Sequence, residues 1–418
     1  THKQHHKKTI MSRFSFSARK AEEIVMLQLY RLTNTDIKEL QREAEDLKKQ
    51  ILDLESILND EKKLFHVIKK DLREIKKKFA DTRRTQIEEK VEELKIDIDV
   101  LVASEDVIVS VSKDGYIKRT SLRSYAASNE EDLTLKDDDY LIYLGEINTT
   151  DHVLLFTNKG KYIFIPVHEL HEIRWKEMGQ HISNITTFDK DEYLLKCIPI
   201  REFNEGQFIV FFTKNGMVKR TEIKHYHAGR HSKSLIAINL KEDDEVVNIF
   251  LTDGNYDLFI ASDKGYGLWY HESDVTVVGQ RALGVKSIQL KDGEHVVGGQ
   301  VFDDLSEPSI VIITQRGAVK RMKLSEFEKT NRAKRGLIML RELKSKPHRI
   351  CGFFVINDNE KIRLRTKDGH MEVVQPLELT ASERYSNGSF VVDTDVHGEV
   401  IDVWKEAEYN KPFEKKEE

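Results

Sequence analysis

The stretch VIVSVSKDGYIKRT, residues 107–120, joins an apolar run, a Lys-Asp-Gly turn and a second run that ends in a basic pair. Five similar stretches follow it, and successive turn glycines lie 45 to 56 residues apart. They are VLLFTNKGKYIFIP (153–166), FIVFFTKNGMVKRT (208–221), DLFIASDKGYGLWY (257–270), SIVIITQRGAVKRM (309–322) and KIRLRTKDGHMEVV (361–374). β-Branched and aromatic runs around a glycine-containing turn are typical of β-hairpins. Six such units at this period predict a propeller-like array of four-stranded blades.

A weaker element recurs after the hairpins. It recurs in each unit, as in WKEMGQHISNI, ALGVKSIQL, KRGLIML and SNGSFVV. We predict that this element forms the inner strand of a blade together with its approach turn. A second recurring feature is an acidic turn: LKDDDY (135–140), FDKDEY (188–193), LKEDDE (240–245) and LKDGEH (290–295). Because equivalent positions in a repeat array occupy equivalent places, the acidic turns should share one edge of the disc.

The part of the chain before the repeats is different, because residues 1–114 contain neither glycine nor proline. Apolar side chains there alternate steps of three and four, which predicts a coiled-coil arm over 37–79, about 65 Å long if it is one helix. The seam consists of Ile37, Leu40, Ala44, Leu47, Ile51, Leu54, Leu58, Phe65, Ile68, Leu72, Ile75 and Phe79. A denser apolar helix precedes it and is the predicted dimer interface, with Ile24, Leu27, Leu29 and Leu32. A simple spacer is the alternative.

A basic pair follows the turn glycine by three and four residues in each odd-numbered unit. The pairs are Lys118-Arg119, Lys219-Arg220 and Lys320-Arg321. Such pairs can protect exposed strand edges from aggregation, but three in register favour a track that holds a nucleic-acid backbone by phosphate contacts. Further candidate DNA-contacting residues lie in loops: Arg174, Lys176, Arg230, Arg281, Arg332, Lys334 and Arg335, with Lys233 and Lys286 nearby. The even units place apolar side chains such as Phe164 and Trp269 at these positions, which we expect to be inter-blade core.

Composition excludes several classes of protein. The formal net charge is −5, so DNA binding would depend on segregated charge and not on bulk charge. The sequence contains no run of about 20 apolar residues, so no membrane-spanning helix is predicted. Cys197 and Cys351 each lie in a strand-like run, which fits a reduced, cytoplasmic protein without disulfides. No phosphate-binding loop, metal-ligand spacing or catalytic triad is legible, so we predict no catalytic residue, metal site or cofactor in this chain.

The coiled-coil arm followed by six such units resembles the A subunit of bacterial type IIA topoisomerases. EEIVMLQLYRLTNTDI resembles the helix at that family's exit-gate dimer interface, and residues 37–86 resemble the helix that returns from it. Residues 106–404 resemble the C-terminal β-pinwheel, a propeller whose blades exchange strands, and SNGSFVVDTDVHGEVIDVW resembles its last blade. The expected fold is therefore long antiparallel exit-gate helices, then a six-bladed β-pinwheel. The expected domains are 1–105, 106–405 and a charged tail, 406–418.

Two branches of the family differ in the first blade. Gyrase A subunits carry a basic, glycine-rich box there, whereas SYAASNEEDLTLKDDD (124–139) is acidic and lacks glycine. KGKYIFIPVHELHEIRWKEMGQHIS is similar to the topoisomerase IV branch of Gram-positive type, so that branch is favoured. A gyrase fragment and a non-enzymatic propeller scaffold anchored by Phe164 and Trp269 are the alternatives.

The resemblance also implies a larger enzyme. Because the chain starts at Thr1 and lacks the family's catalytic tyrosine, we read it as a C-terminal piece that is inactive alone. The resemblance implies duplex DNA as ligand, a homodimer of A subunits, and an ATPase B subunit in an A2B2 complex. ATP and magnesium are expected on that B subunit. The implied location is the cytoplasm, at the nucleoid, where the holoenzyme would decatenate and relax DNA.

Overall fold

A computed structural model describes residues 2–26, 34–81, 102–129, 132–229, 231–357 and 360–414. The chain separates into two compact units, Thr1–Leu94 and Lys95–Glu418. The first contains helices α1 (His2–Phe14), α2 (Ala18–Met26), α3 (Asn34–Leu58) and α4 (Glu61–Phe79). None of the helices in the described ranges is long and apolar enough to cross a membrane.

The predicted single helix over 37–79 is interrupted. Asp60 lies between α3 and α4 in an extended conformation, and its carboxylate accepts hydrogen bonds from the backbone amides of Lys62 (2.9 Å) and Lys63 (3.4 Å). An N-cap of this kind starts a new helix because it satisfies amides that have no partner within the helix. The apolar seam residues on both helices are exposed. Ile24 of the predicted dimer interface lies on α2 and is 40% exposed, whereas Leu27, Leu29 and Leu32 lie outside the described residues.

The second compact unit contains the six repeats, here called units 1 to 6, and its strands and short helices follow in chain order. Unit 1 has β1 (Asp106–Ser112), β2 (Tyr116–Ser121), α5 (Leu122–Ala126) and β3 (Leu141–Asn148). Unit 2 has β4 (His152–Thr157), β5 (Lys161–Pro166), β6 (Gln180–His181) and β7 (Leu194–Ile200). Unit 3 has β8 (Phe208–Thr213), β9 (Met217–Glu222), β10 (Ser234–Ile236) and β11 (Val246–Thr252).

The later units repeat this order. Unit 4 has β12 (Tyr256–Ser262), β13 (Tyr266–His271), β14 (Val285–Lys286) and β15 (Val296–Asp303). Unit 5 has β16 (Ser309–Thr314), β17 (Ala318–Lys323), β18 (Leu337–Ile338) and β19 (Ile350–Ile356). Unit 6 has β20 (Ile362–Thr366), β21 (Met371–Val374), β22 (Ser389–Phe390), α6 (Thr394–His397) and β23 (Val400–Lys405), and β24 (Tyr409–Asn410) follows it.

Neighbouring blades exchange strands. The short third strand of each of units 2 to 6 pairs with the second strand of the preceding unit: β6 with β2, β10 with β5, β14 with β9, β18 with β13 and β22 with β17. The fourth strands of successive units pack against one another around the ring. The recurring element that we expected to be the inner strand is therefore the outermost strand of the preceding blade, and that prediction was wrong. Its two or three residues are too few to show a strand period in the sequence.

The six turns match the hairpin prediction, since all six turn glycines have positive φ, from +70° at Gly160 to +98° at Gly115. Apolar faces of adjacent blades pack together as the core. Phe164 is 2% exposed within this core and Trp269 packs against the cluster around Phe259, so the prediction that they are inter-blade core is confirmed.

Each blade is numbered after the unit that supplies its first, second and fourth strands. The ring closes differently between blade 6 and blade 1. In the described part of unit 1 no strand pairs with β21 as an exchanged strand, so the sheet of blade 6 has three strands, β21-β20-β23. β24 instead pairs in parallel with β3, and Tyr140 stacks on Trp404 with ring centroids 4.2 Å apart. Phe413 packs against the core between blades 1 and 2. Part of the predicted charged tail, 406–418, therefore belongs to the propeller.

Candidate nucleic-acid interface

The three lysines of the predicted basic track are inside the protein. Lys118, Lys219 and Lys320 are 1%, 0% and 1% exposed. They lie on β2, β9 and β17, the second strands of the odd blades, at a position that faces the crossover segments. We define these segments as the chain between the second and fourth strands of units 2 to 6: 167–193, 223–245, 272–295, 324–349 and 375–399. A buried ammonium group cannot contact a phosphate, so the DNA-contact prediction for these three lysines was wrong.

Each ammonium group instead donates hydrogen bonds to backbone carbonyls of crossover segments. Lys118 donates to the carbonyls of Arg174 (3.1 Å), Trp175 (2.7 Å) and Glu177 (2.5 Å), all in the segment that unit 2 lays over blade 1. An ammonium group has three N–H donors, so three carbonyl acceptors satisfy it completely. The lysine therefore fastens the exchanged segment to the blade that receives it.

The other two lysines each join two crossover segments. Lys219 donates to the carbonyls of Ala237 (2.6 Å) and Gln280, and to the Tyr226 hydroxyl (3.2 Å). Lys320 donates to the carbonyls of Met339 (2.8 Å), Arg384 and Ser386 (3.1 Å). In both cases one acceptor lies in the crossover segment of the lysine's own unit and another in that of the next unit.

Burial lowers the proton affinity of these three lysines. Desolvation lowers the pKa of Lys219 to about 7 and the pKa of Lys118 and Lys320 to about 8. The carbonyl acceptors oppose this effect because they stabilise the charged form.

The arginines of the same pairs are half-buried. Arg220 lies 3.5 Å from the buried carboxylate of Glu272 and 4.8 Å above the ring of Phe208. Arg321 donates to the carbonyl of Leu379 (2.8 Å). Arg119 pairs through its backbone with the crossover segment of unit 2, where Ile173 donates to its carbonyl (2.9 Å). The guanidinium groups of Arg220 and Arg321 and the backbone of Arg119 are tied to the fold, and the lysines of the odd-unit pairs are best described as strand-exchange anchors.

Exposed cations lie instead on the crossover segments themselves. Arg174, Lys176, Lys233, Arg281, Lys286 and Lys334 are all exposed; we call this set the crossover cations. Among them Lys176 pairs with Asp132 at 3.0 Å. Since each segment supplies the outermost strand of the preceding blade, these side chains lie at the rim of the ring.

Two further predicted loop residues are partly occupied by internal contacts. Arg332 donates to the carbonyls of Asp274 and Lys286, both at 2.9 Å. Arg335 lies 2.5 Å from the Glu294 carboxylate and 3.5 Å above the ring of Tyr266. Arg230 lies outside the described residues.

The acidic turns fasten the hairpins. Asp244 accepts from the Asn215 amide (2.9 Å) and from the Thr213 hydroxyl (2.8 Å), next to the turn glycine of unit 3. Burial raises the pKa of Glu294, but hydrogen bonds from Arg335 and Ser262 outweigh it and hold that pKa below its usual value. Sequence analysis missed this role because acidic residues in a polar turn look solvent-exposed.

The described residues offer little for other chemistry. They contain no group of three or more His, Cys, Asp or Glu side chains that could hold a metal ion. Cys197 and Cys351 are free, and burial raises the pKa of both thiols, to about 12 for Cys351. Raised thiol pKa values keep both sulfurs protonated and unreactive at neutral pH.

Comparison with known proteins identifies the ring. A profile of the family described as DNA gyrase C-terminal domain, beta-propeller, matches residues 106–148, 151–201, 207–253, 256–303 and 308–357. The chain belongs to this family of propeller domains.

Its similar relatives carry one name. The chain is 54% identical over 399 residues to the A subunit of DNA topoisomerase 4 from Bacillus subtilis, a match that covers 96% of this chain and 49% of that protein. It is 43% identical over 394 residues to the A subunit of DNA topoisomerase 4 from Staphylococcus epidermidis, covering 94% and 49%. The chain spans about half the length of these curated relatives.

Solved structures agree on the fold. A crystal structure of the C-terminal domain of DNA topoisomerase IV matches with a TM-score of 0.70 and 56% identity, over 73% of this chain and 94% of that one. A structure of the DNA gyrase A C-terminal domain matches with a TM-score of 0.53 and 20% identity, over 72% and 100%, which indicates a shared fold alone.

Proposed function

We propose that this chain is the DNA-binding C-terminal part of the A subunit of a topoisomerase IV, and that it holds duplex DNA on the crossover cations. The observation that carries the proposal is the position of these cations on equivalent segments around one rim. Its support from comparison is the name shared by relatives at 54% and 43% identity.

The rim would bind the DNA backbone without reading its sequence. Lysine and arginine contacts to phosphates position a duplex but do not distinguish bases. Because the cations lie on successive segments of a curved rim, a duplex that contacts several of them bends. Unit 1 contributes little to this path: residues 124–139 are acidic and lack glycine. We infer modest bending by this chain, without the wrapping that introduces negative supercoils.

The larger assembly is part of the same proposal. The helical unit would contribute to a homodimer of A subunits. An ATPase B subunit would carry ATP and magnesium and complete an A2B2 enzyme that passes one duplex through another to decatenate and relax DNA. The cleaving tyrosine would lie in the part of the relatives that this chain does not span. Such an enzyme would work in the cytoplasm, at the nucleoid.

The scaffold alternative has less support, because of its proposed anchors Phe164 is buried in the ring and Trp269 is partly buried against the cluster around Phe259.

The test is a fluorescence-anisotropy titration of the full chain with a short duplex at several salt concentrations. The wild-type affinity should fall log-linearly with salt. The double variant Arg281→Ala/Lys286→Ala should bind more weakly and with a salt slope shallower by about two units, since two phosphate contacts are lost. Lys190→Ala removes an exposed cation from an acidic turn and serves as the control. Equal loss in both variants, or no salt dependence, would contradict the proposed rim.

A further inference from the structure

The outer edge of blade 6 is open. In blades 1 to 5 the second strand pairs on one side with an exchanged strand, whereas in the described part of the chain nothing pairs with that side of β21. In an antiparallel ladder alternate residues turn their amide and carbonyl groups toward opposite neighbours. Thr366 donates to the carbonyl of His370, so Met371 and Val373 direct their backbone groups away from β20. The side chains of Met371 and Val373 are each 41% exposed.

The missing strand leaves a defined space. In the other blades the amide that follows the exchanged strand donates to the carbonyl of the turn glycine, at 2.7–2.9 Å. These bonds are Ile182 to Gly115, Ala237 to Gly160, Ser287 to Gly216, Met339 to Gly265 and Val391 to Gly317. An apolar side chain of the exchanged segment also covers each glycine, as Ile182 covers Gly115 and Leu340 covers Gly265. A Cβ added at Gly369 would meet nothing within 4 Å.

The charge at this edge differs from that of the other blades. Glu372 takes the position that Lys118, Lys219 and Lys320 hold in the odd blades and that Ile163 and Leu268 hold in two even blades. A carboxylate cannot donate to the carbonyls of an incoming segment, but it accepts from N–H groups and pairs with Lys or Arg. The segment of unit 1 that would complete the cycle reads NEEDL (129–133), and its acidic residues would face Glu372 with the same sign of charge. Leu133 packs instead beside Trp175.

We propose that the outer edge of β21 binds an extended, basic peptide strand of a partner protein by β-augmentation. Four of the five internal segments define its chemistry: a glycine or serine, two extended residues, a residue whose amide would donate to the Gly369 carbonyl, and then an apolar residue that would cover Gly369. The negative charge of Glu372 favours a lysine or arginine before the glycine of the bound peptide. Main-chain hydrogen bonds supply affinity in this mode, and the side-chain positions supply specificity. The proposal is independent of DNA binding.

The probe is a fluorescent peptide of sequence NRAKRGLIMLR, which is the exchanged segment of unit 5, residues 331–341. Titrated with the full 418-residue chain, it should bind saturably at one site, and amide exchange at Met371 and Val373 should slow. Glu372→Lys should weaken binding at least tenfold and Glu372→Gln by less. Glu378→Lys, an exposed change in the same blade, should leave binding unchanged. The charge-reversed peptide NEAEEGLIMLE should prefer the Glu372→Lys chain.

Three results would overturn the proposal. The first is no binding by a folded chain. The second is binding that is insensitive to both Glu372 variants, and the third is protection of amides in another blade. Sedimentation without peptide tests the other occupant: a dimer that Glu372→Lys dissociates would assign the edge to a second copy of this chain.

Discussion

Replacing Lys219 by methionine should destabilise the ring and leave its rim intact. The side chain is fully buried, and its ammonium group holds the carbonyls of Ala237 and Gln280 together with the Tyr226 hydroxyl. Methionine fills similar space but donates no hydrogen bond. Each buried acceptor that loses its donor costs about 1–3 kcal/mol, although the Ala237 carbonyl keeps a bond from Tyr226 at 3.3 Å. Removing a buried charge recovers part of that cost. We expect the free energy of unfolding to fall by about 2–4 kcal/mol.

Calorimetry together with DNA titration tests this reasoning. For a domain of this size the loss corresponds to a fall in Tm of about 3–6 °C. DNA affinity, measured well below the new Tm, should stay within about twofold of wild type, since the lysine reaches no phosphate. Lys286→Met is the matched control: this lysine lies exposed on β14, so its loss should weaken DNA binding without lowering Tm. Weaker DNA binding by Lys219→Met at unchanged Tm would refute the anchoring role and would indicate that the lysine contacts DNA, as the sequence analysis predicted.

Three further predictions concern pH, the turn glycines and the tail. Because the pKa of Lys219 is about 7 in the folded protein and the usual lysine value is 10.5, the folded state binds fewer protons between those values. Stability should therefore rise with pH above 7, by up to about 1.4 kcal/mol per pH unit, and urea denaturation at pH 7.5 and 9 should show a smaller rise for Lys219→Met; equal slopes would exclude this titration. Gly265→Ala should destabilise by about 2–4 kcal/mol, because its Cβ would lie 2.6 Å from that of Leu340, whereas Gly369→Ala should cost only about 1 kcal/mol for its positive φ. Equal falls in Tm would show that the edge of blade 6 is covered. Deleting 406–414 should speed amide exchange in β3, which β24 covers at Leu144 and Gly145, and unchanged protection there would deny the tail a structural role.

The repeat was predictable from sequence because two constraints act locally. A turn glycine with positive φ and an apolar strand on each side leave a signal in every unit, and all six hairpins were found this way. The exchange of strands between blades left almost no signal in the sequence. β6, β14, β18 and β22 have two residues each, and their pairing partners belong to a different unit. A pattern read along one unit cannot show to which blade its third strand belongs.

The candidate site shows a related limit. A Lys-Arg pair on a strand looks the same in sequence whether its lysine points to water or into a cage of carbonyls. The distinction depends on the crossover segment of the next unit, whose acceptor carbonyls lie 56 to 66 residues further along the chain, as between Lys118 and Trp175. The interruption at Asp60 was hidden for a different reason: the apolar spacing on both sides keeps a helical period, and one capping side chain is enough to separate the helices.

The position held by Lys118 connects the two roles of the crossover segments. A segment fastened by a buried lysine is held in place on its neighbour, and the same segment presents cations at the rim. In blade 1 the carbonyls that Lys118 holds belong to Arg174, Trp175 and Glu177, and the side chain of Arg174 is exposed. DNA bound at the rim would therefore pull on the joint between blades. On the proposed DNA-binding rim, the anchors would set the stiffness of the curved surface over which a bound duplex would bend, and loosening them should reduce DNA bending before it reduces affinity.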